Sequence, residues 1–260
     1  MTRIDELFAR TRGEGRAALV GYLPVGFPDV ATSIDAMVAM VEAGVDLVEV
    51  GVPYTDPGMD GPVIQVAVDA ALRAGSRVKN VFEAVEAVTA HAPAVVMGYW
   101  NPIEKLTPAV FAQKLAAAGG SGAITPDLIP EEAQPWLEAA KEHDLDPVFL
   151  VAPSSTDERL EVVGRTNRGF VYAASTMGVT GTRDTVSNRA EELVGRMRQH
   201  TDLPIGVGLG VSNGAQAAEV AAYADAVIVG SAFVRALQDE GIDAVRRLAE
   251  DLARGVRQKA

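Results

Sequence analysis

Cysteine is absent from this chain. That excludes disulfide staples, thiolate metal sites and a cysteine nucleophile. Histidine is almost as scarce, with only His91, His143 and His200. Lysine occurs five times, at 79, 105, 114, 141 and 259, and aromatic residues make up 5% of the sequence. No apolar run approaches the ~18 residues of a membrane span. The opening MTRIDELFARTR has no apolar stretch of the kind a secretory signal requires. Basic residues number 23 against 35 acidic ones, a net charge of −12, which argues against nucleic acid or an anionic membrane surface as partner. A soluble, cytoplasmic protein is expected.

What is present is a core-forming composition: 48% hydrophobic and 22% charged over 260 residues. The 39 glycines and prolines are spread evenly, with no linker or low-complexity stretch. Eight short apolar runs recur: Ala18–Leu23, Asp46–Val50, Ala94–Tyr99, Gly122–Thr125, Pro147–Val151, Gly169–Ala173, Pro204–Val207 and Asp225–Val229. They are nearly continuous in apolar residues, as strands covered on both faces are. Helical patterns fill the intervals. Ile34, Met37, Val38 and Val41 precede Gly44; Val81, Val85 and Val88 precede Pro93; Phe111, Leu115 and Ala118 precede Gly119-Gly120. Asn213 to Ala222 reads as a helix with Ser212 placed to cap it. Strand starts lie 28, 48, 28, 25, 22, 35 and 21 residues apart, near the length of a βα unit. The expectation is a single α/β domain over 1–260, a (β/α)8 TIM barrel with extended loops after strands two and six. An open doubly wound sheet would want a glycine-rich fingerprint after strand one, and Gly21-Tyr22-Leu23-Pro24 is not one.

In such a barrel, chemistry belongs at the C-terminal ends of the strands. All three histidines fall at helix ends before a strand, on the opposite face. No lysine ends a strand, so a Schiff base has no nucleophile, and no ligand set suggests a metal. Asp46 and Asp225 open their strands and read as structural. Glu49 differs, because it interrupts Leu47-Val48-Glu49-Val50 near the strand's C-terminal end. A carboxylate there is costly unless paired or used, and no basic residue lies late in a neighbouring strand to pair it. Asp60 follows in the loop Pro53 to Gly61, where an isolated aspartate would otherwise serve a turn. Two carboxylates at one barrel mouth can divide acid and base work. Gly208-Leu209-Gly210-Val211-Ser212 follows strand seven and Gly230-Ser231 follows strand eight. Barrels hold phosphate there through backbone N–H groups and a helix N-terminus. Gly178 to Gly181, after strand six, is placed to reach the same ligand.

Glu49-Val50-Gly51-Val52-Pro53-Tyr54-Thr55-Asp56-Pro57 and Asp60-Gly61-Pro62-Val63-Ile64-Gln65 together resemble the tryptophan synthase α subunit family. So do Tyr99-Trp100-Asn101-Pro102, Pro126-Asp127-Leu128, Tyr172 to Gly181, Gly208 to Ser212 and Gly230-Ser231, in family order. The resemblance implies retro-aldol cleavage of indole-3-glycerol phosphate to indole and glyceraldehyde 3-phosphate. It gives Glu49 the acid/base role and Asp60 the indole N–H. Thr180 matches a lid residue that holds the aspartate, and Tyr172 the tyrosine beside the glutamate. Gly181, Gly210, Gly230 and Ser231 match phosphate contacts, with Gly208 alongside, and Tyr22 lines the pocket at a position that is often phenylalanine. Gly26-Phe27-Pro28 departs from the common Gly-Asp-Pro, Thr176 stands where some relatives have arginine, and Thr55 replaces a common serine. The resemblance further implies no cofactor on this chain, a pyridoxal-phosphate β subunit as partner, and an α2β2 heterotetramer. A free-standing indole-releasing lyase and a non-catalytic activator of the β subunit are the alternatives.

Overall fold

The computed structural model describes residues 1–174 and 183–258. One sheet organises them. Its strands are β1 (Ala18–Pro24), β2 (Leu47–Gly51), β3 (Ala94–Met97), β4 (Gly122–Ile124), β5 (Asp146–Val148), β6 (Leu150–Val151), β7 (Val171–Ala174), β8 (Ile205–Gly208) and β9 (Ala226–Val229). The order is β5-β4-β3-β2-β1-β9-β8-β7-β6, and every pairing is parallel. The ends of that order are consecutive in the chain, separated only by Phe149. The sheet is therefore a barrel of eight staves, the fifth broken in two. The break has a local cause: Phe149 N–H donates to the Asn167 side chain at 3.0 Å instead of to a neighbouring strand.

Several boundaries differ from the sequence reading. The second and eighth staves begin one residue after Asp46 and Asp225, because those carboxylates take the place of ladder acceptors. Asp46 accepts Leu19 N–H at 3.0 Å and Asp225 accepts Ile205 N–H at 2.9 Å. Both are structural, as their position suggested. β3 ends at Met97 rather than Tyr99, since Trp100 N–H is captured by the Asp127 carboxylate at 2.8 Å and the chain turns into α5 (Trp100–Leu106). Gly169, expected to open the sixth run, instead makes the preceding turn with φ +74°. The helix α10 (Gly214–Ala221) is capped by Asn213, whose side chain accepts Gln216 N–H at 3.0 Å, and not by Ser212. Ser212 lies one residue too early and donates its own N–H to the Gln216 side chain.

Alternation along each strand sorts residues between two cores. Ala18 and Val20, Leu47, Val95, Ile124, Val148, Ala226 and Ile228 fill the barrel interior, with Phe170 from the turn before β7. Ile4, Leu7 and Phe8 of α1 (Arg3–Gly13) close the N-terminal end, with Phe8 5.8 Å from the Phe170 ring. The alternate residues, such as Leu19, Val48, Val50, Val96 and Val227, pack under the outer helices. The long interval after β2 holds a loop and two helices, α3 (Pro62–Arg73) and α4 (Val78–Thr89). The start of the interval after β7 lies outside the described residues, so its expected long loop does as well.

At the closed end, Arg16 forms a 2.7 Å ion pair with Asp46, and their side chains are only 9% and 6% exposed. Removing one member of a buried pair costs ~3–5 kcal/mol when the other charge is stranded, against less than ~1 kcal/mol for a surface pair; Asp46 would keep the exposed Arg10 at 3.4 Å, which places the loss of Arg16 between the two. Arg16→Met is expected to lower the urea unfolding free energy by about 1–3 kcal/mol with an unchanged m-value. A loss below about 1 kcal/mol would place the pair with solvated surface bridges.

Candidate active site

The rule that fills the barrel also builds its mouth. Continuing inward from Leu47, the next inward position on β2 is Glu49, in register with Tyr22 on β1 and Val95 on β3. Above the apolar layer, a cavity of about 540 Å³ is lined by Tyr22, Glu49, Asp60, Tyr172, Gly210 and Ser231 among others. It sits at the C-terminal ends of the strands. Two glycines make room for its aromatic walls. A Cβ at Gly51 would lie 2.6 Å from the Tyr22 ring, and one at Gly208 would lie 2.7 Å from the Tyr172 hydroxyl. Glycine at both positions lets each ring lie against the neighbouring backbone.

Glu49 is 1% exposed and its Oε1 has no hydrogen-bond partner. Burial alone pushes its carboxyl up to about 8, so at neutral pH it carries its proton. Asp60 is half-buried, and burial raises it to about 6, with Tyr99 holding it down. The two carboxyls thus occupy different protonation states between about pH 6 and 8. Burial first, then the nearby Glu49 and Asp60, raises the Tyr22 and Tyr172 phenols, keeping both neutral.

Asp60 is held by its loop. Its N–H donates to Pro57 O at 3.0 Å, and its carbonyl accepts from the Gln65 side chain at 2.8 Å. The preceding Met59 N–H donates to the Tyr99 hydroxyl at 2.9 Å. Gln65 and Tyr99 carried no role in the sequence reading, although both stood within its quoted motifs; nothing in the one-dimensional pattern shows that they meet the loop.

Across the cavity, Gly210 takes φ +66° after β8, and a Cβ there would meet nothing within 4 Å. Gly230 precedes α11 (Ser231–Glu240) as its N-cap residue. The first amides of that helix and the open backbone at Gly210 face the cavity, the kind of corner that can receive an anion. Thr176, Gly178, Thr180 and Gly181 lie outside the described residues. Among the described residues no cluster of His, Asp and Glu is arranged to hold a metal. Lys79, Lys105, Lys114 and Lys141 all lie on helices, away from the strand ends.

Two carboxyls of different pKa at the C-terminal mouth of a parallel α/β barrel, with the first turn of a helix across the cavity, give this chain the site layout of a TIM-barrel enzyme. Residues 8–259 match the family described as "Tryptophan synthase alpha chain". The chain is 60% identical over its whole length to the tryptophan synthase alpha chain of Mycobacterium intracellulare, covering 96% of that protein. It superposes on a crystal structure of Mycobacterium tuberculosis tryptophan synthase with a TM-score of 0.94 and 57% identity, covering 99% of each chain. At 28% identity it still reaches a TM-score of 0.89 with tryptophan synthase subunit alpha of Legionella pneumophila, covering 98% of each chain. The chain belongs to the tryptophan synthase alpha chain family, whose reaction is the cleavage of indole-3-glycerol phosphate, a lyase reaction.

A carboxyl raised by burial destabilises the fold as it ionises. Stability linked to Glu49 is fully present below its ordinary pKa of 4.5 and is lost as pH rises through about 8. Glu49→Gln, which cannot ionise, is therefore expected to gain stability relative to wild type as pH rises from 5 to 9. Urea titrations at both ends of that range check this; a difference that does not change with pH would contradict the raised pKa.

Proposed function

We propose that Glu49 is the proton carrier of the cleavage and Asp60 its electrostatic partner. The observation that carries this reading is a buried Glu49, its Oε1 without a hydrogen-bond partner and its carboxyl raised to about 8, sharing a cavity with an Asp60 of lower pKa. The neutral Glu49 carboxyl gives its proton to indole C3, leaving a carboxylate and a positively charged ring. That carboxylate takes the proton from the glycerol C3′ hydroxyl. The O–H electrons become the aldehyde C=O, the C–C bond breaks, and its pair returns to the ring as indole. Glu49 ends protonated, so the step balances with one residue and no external base. Ionised Asp60 accepts the indole N–H and favours the positive ring most in the transition state. Tyr22 and Tyr172 wall the reacting centre. Backbone groups at Gly208, Gly210, Gly230 and Ser231 hold the phosphate.

The same reading makes residues 1–260 one barrel domain working in the cytoplasm, with no cofactor of its own. Its partner is a pyridoxal-phosphate β subunit in an α2β2 assembly, docked against Pro53–Asp60 and Asn101-Pro102. Met59 supports that placement: 40% exposed, it is one of five large apolar side chains left uncovered among the described residues. Indole release measured with and without a β subunit separates this assembly from a free-standing lyase. Intact Glu49 and Asp60 disfavour a non-catalytic activator.

Three outcomes are expected. kcat/KM follows a bell, falling below about pH 6 as Asp60 protonates and above about pH 8 as Glu49 ionises. Glu49→Gln loses turnover by several orders of magnitude, and Asp60→Asn by ~10²-fold or more, with ligand binding retained. Retention of more than about a tenth of wild-type turnover by Glu49→Gln removes the assignment. Gly210→Val, which strains the left-handed backbone and places a branch in the anion corner, raises KM. A bound phosphate lying more than ~4 Å from these backbone nitrogens contradicts the anion corner.

A further inference from the structure

The loop carrying Asp60 rests on a neighbour rather than on its own turns alone. Gly98 N–H donates to Ile124 O at 3.1 Å and Trp100 N–H to the Asp127 carboxylate at 2.8 Å. The backbone on both sides of Tyr99 is thereby pinned to the barrel rim. The Tyr99 ring stacks on Tyr54 at 5.3 Å between centroids, and the Tyr54 hydroxyl accepts from the Asn101 side chain at 2.8 Å. Tyr99 itself is 7% exposed. Its hydroxyl accepts Met59 N–H at 2.9 Å, and Tyr99 lowers the Asp60 carboxyl against the effect of burial.

We propose that Tyr99 is the positioning residue for Asp60, one hydroxyl fixing both the loop backbone at Met59 and the carboxylate beside it, with Tyr54 and Asn101 holding the tyrosine in place. The inference rests on the catalytic reading of Asp60 given above. A single hydroxyl serving as acceptor to the loop and donor to the carboxylate couples the height of the loop over the cavity to the direction of the acid group. A stacked, pinned ring supplies that hydroxyl from the rigid β3–α5 corner. Misplacement of a reacting group by about 1 Å is enough to slow a reaction ~10²-fold.

A donated hydrogen bond favours the ionised carboxylate. Removing the Tyr99 hydroxyl should move Asp60 upward from about 6, because the other groups facing it, the Glu49 carboxyl and the Tyr22 and Tyr172 phenols, do not replace that donor. Asp127 adds negative charge on the far side of Tyr99. The test is Tyr99→Phe in the full chain, which keeps the ring and its stack. Two quantities are read: the Asp60 titration midpoint, from carboxyl carbon-13 NMR with Asp60→Asn to assign the signal, and steady-state indole release. The expected result is a midpoint raised by ~0.5 unit or more, and kcat lowered about tenfold or more with KM within about threefold. An unmoved midpoint, or an unchanged kcat, overturns the proposal. The midpoint is read without turnover. A fully active Asp60→Asn would therefore sink the catalytic reading, while an unmoved midpoint beside an inactive Asp60→Asn would sink only the role of Tyr99.

Discussion

Alternation of side chains around a closed parallel barrel governs this structure. Each strand turns every second residue inward, and the interior is too narrow for anything but packed side chains. Leu47, Val95, Ile124, Val148 and Ile228 fill it. Leu47 and Glu49 share a face of β2 because they are two apart, so a strand that supplies a core leucine must also point Glu49 into the mouth. The raised pKa of Glu49 is a consequence of that register. A one-residue slip would put Glu49 among the outer helices and Val48 and Val50 in the barrel. Core packing and catalytic placement are thus fixed by one constraint.

The same constraint explains what could be read in the sequence. Eight apolar runs at βα spacing were visible because a sheet covered on both faces needs nearly continuous apolar residues. Glu49 was visible because it violates that rule. Asp46 and Asp225 were legible as structural from their place at strand starts, though not as side-chain substitutes for ladder acceptors. The broken fifth stave was not legible: it depends on Asn167 reaching back to Phe149 N–H, a contact set by tertiary approach. The cap of α10 was misread by one residue, since Ser212 and Asn213 are both good N-caps and only backbone geometry chooses between them. The fit of Tyr22 over Gly51 and Tyr172 over Gly208 was likewise hidden, because in one dimension each glycine reads as a turn.

Asp60 shows the limit from another side. Its loop has no strand register to position it, and an aspartate between Met59 and Gly61 reads as a turn residue. The structure places it through one contact distant in sequence, Tyr99 at Met59, and one local contact, Gln65 from the first turn of α3 on the Asp60 carbonyl. A site half on a strand and half on a loop divides the labour. The strand supplies the fully desolvated carboxyl and the loop the more exposed one, and on the proposed reading it is the exposed one that stays charged and reaches the indole.

On the proposed reading, that division also bears on where the phosphate would lie. A phosphate near Glu49 brings negative charge into a cavity where that carboxyl already resists ionisation, which pushes its pKa further up. The same charge raises Asp60, but Asp60 starts near 6, is half-exposed and keeps a donor in Tyr99. The amides at Gly210, Gly230 and Ser231 offset the phosphate without adding a full positive charge that would draw the Glu49 proton off. A lysine or arginine in that corner would hold the anion more tightly and work against the protonated acid. A phosphate held by backbone dipoles, as proposed, would keep Glu49 loaded with the proton that the ring carbon needs, and the glycine-rich ends of the seventh and eighth staves leave room for such an arrangement.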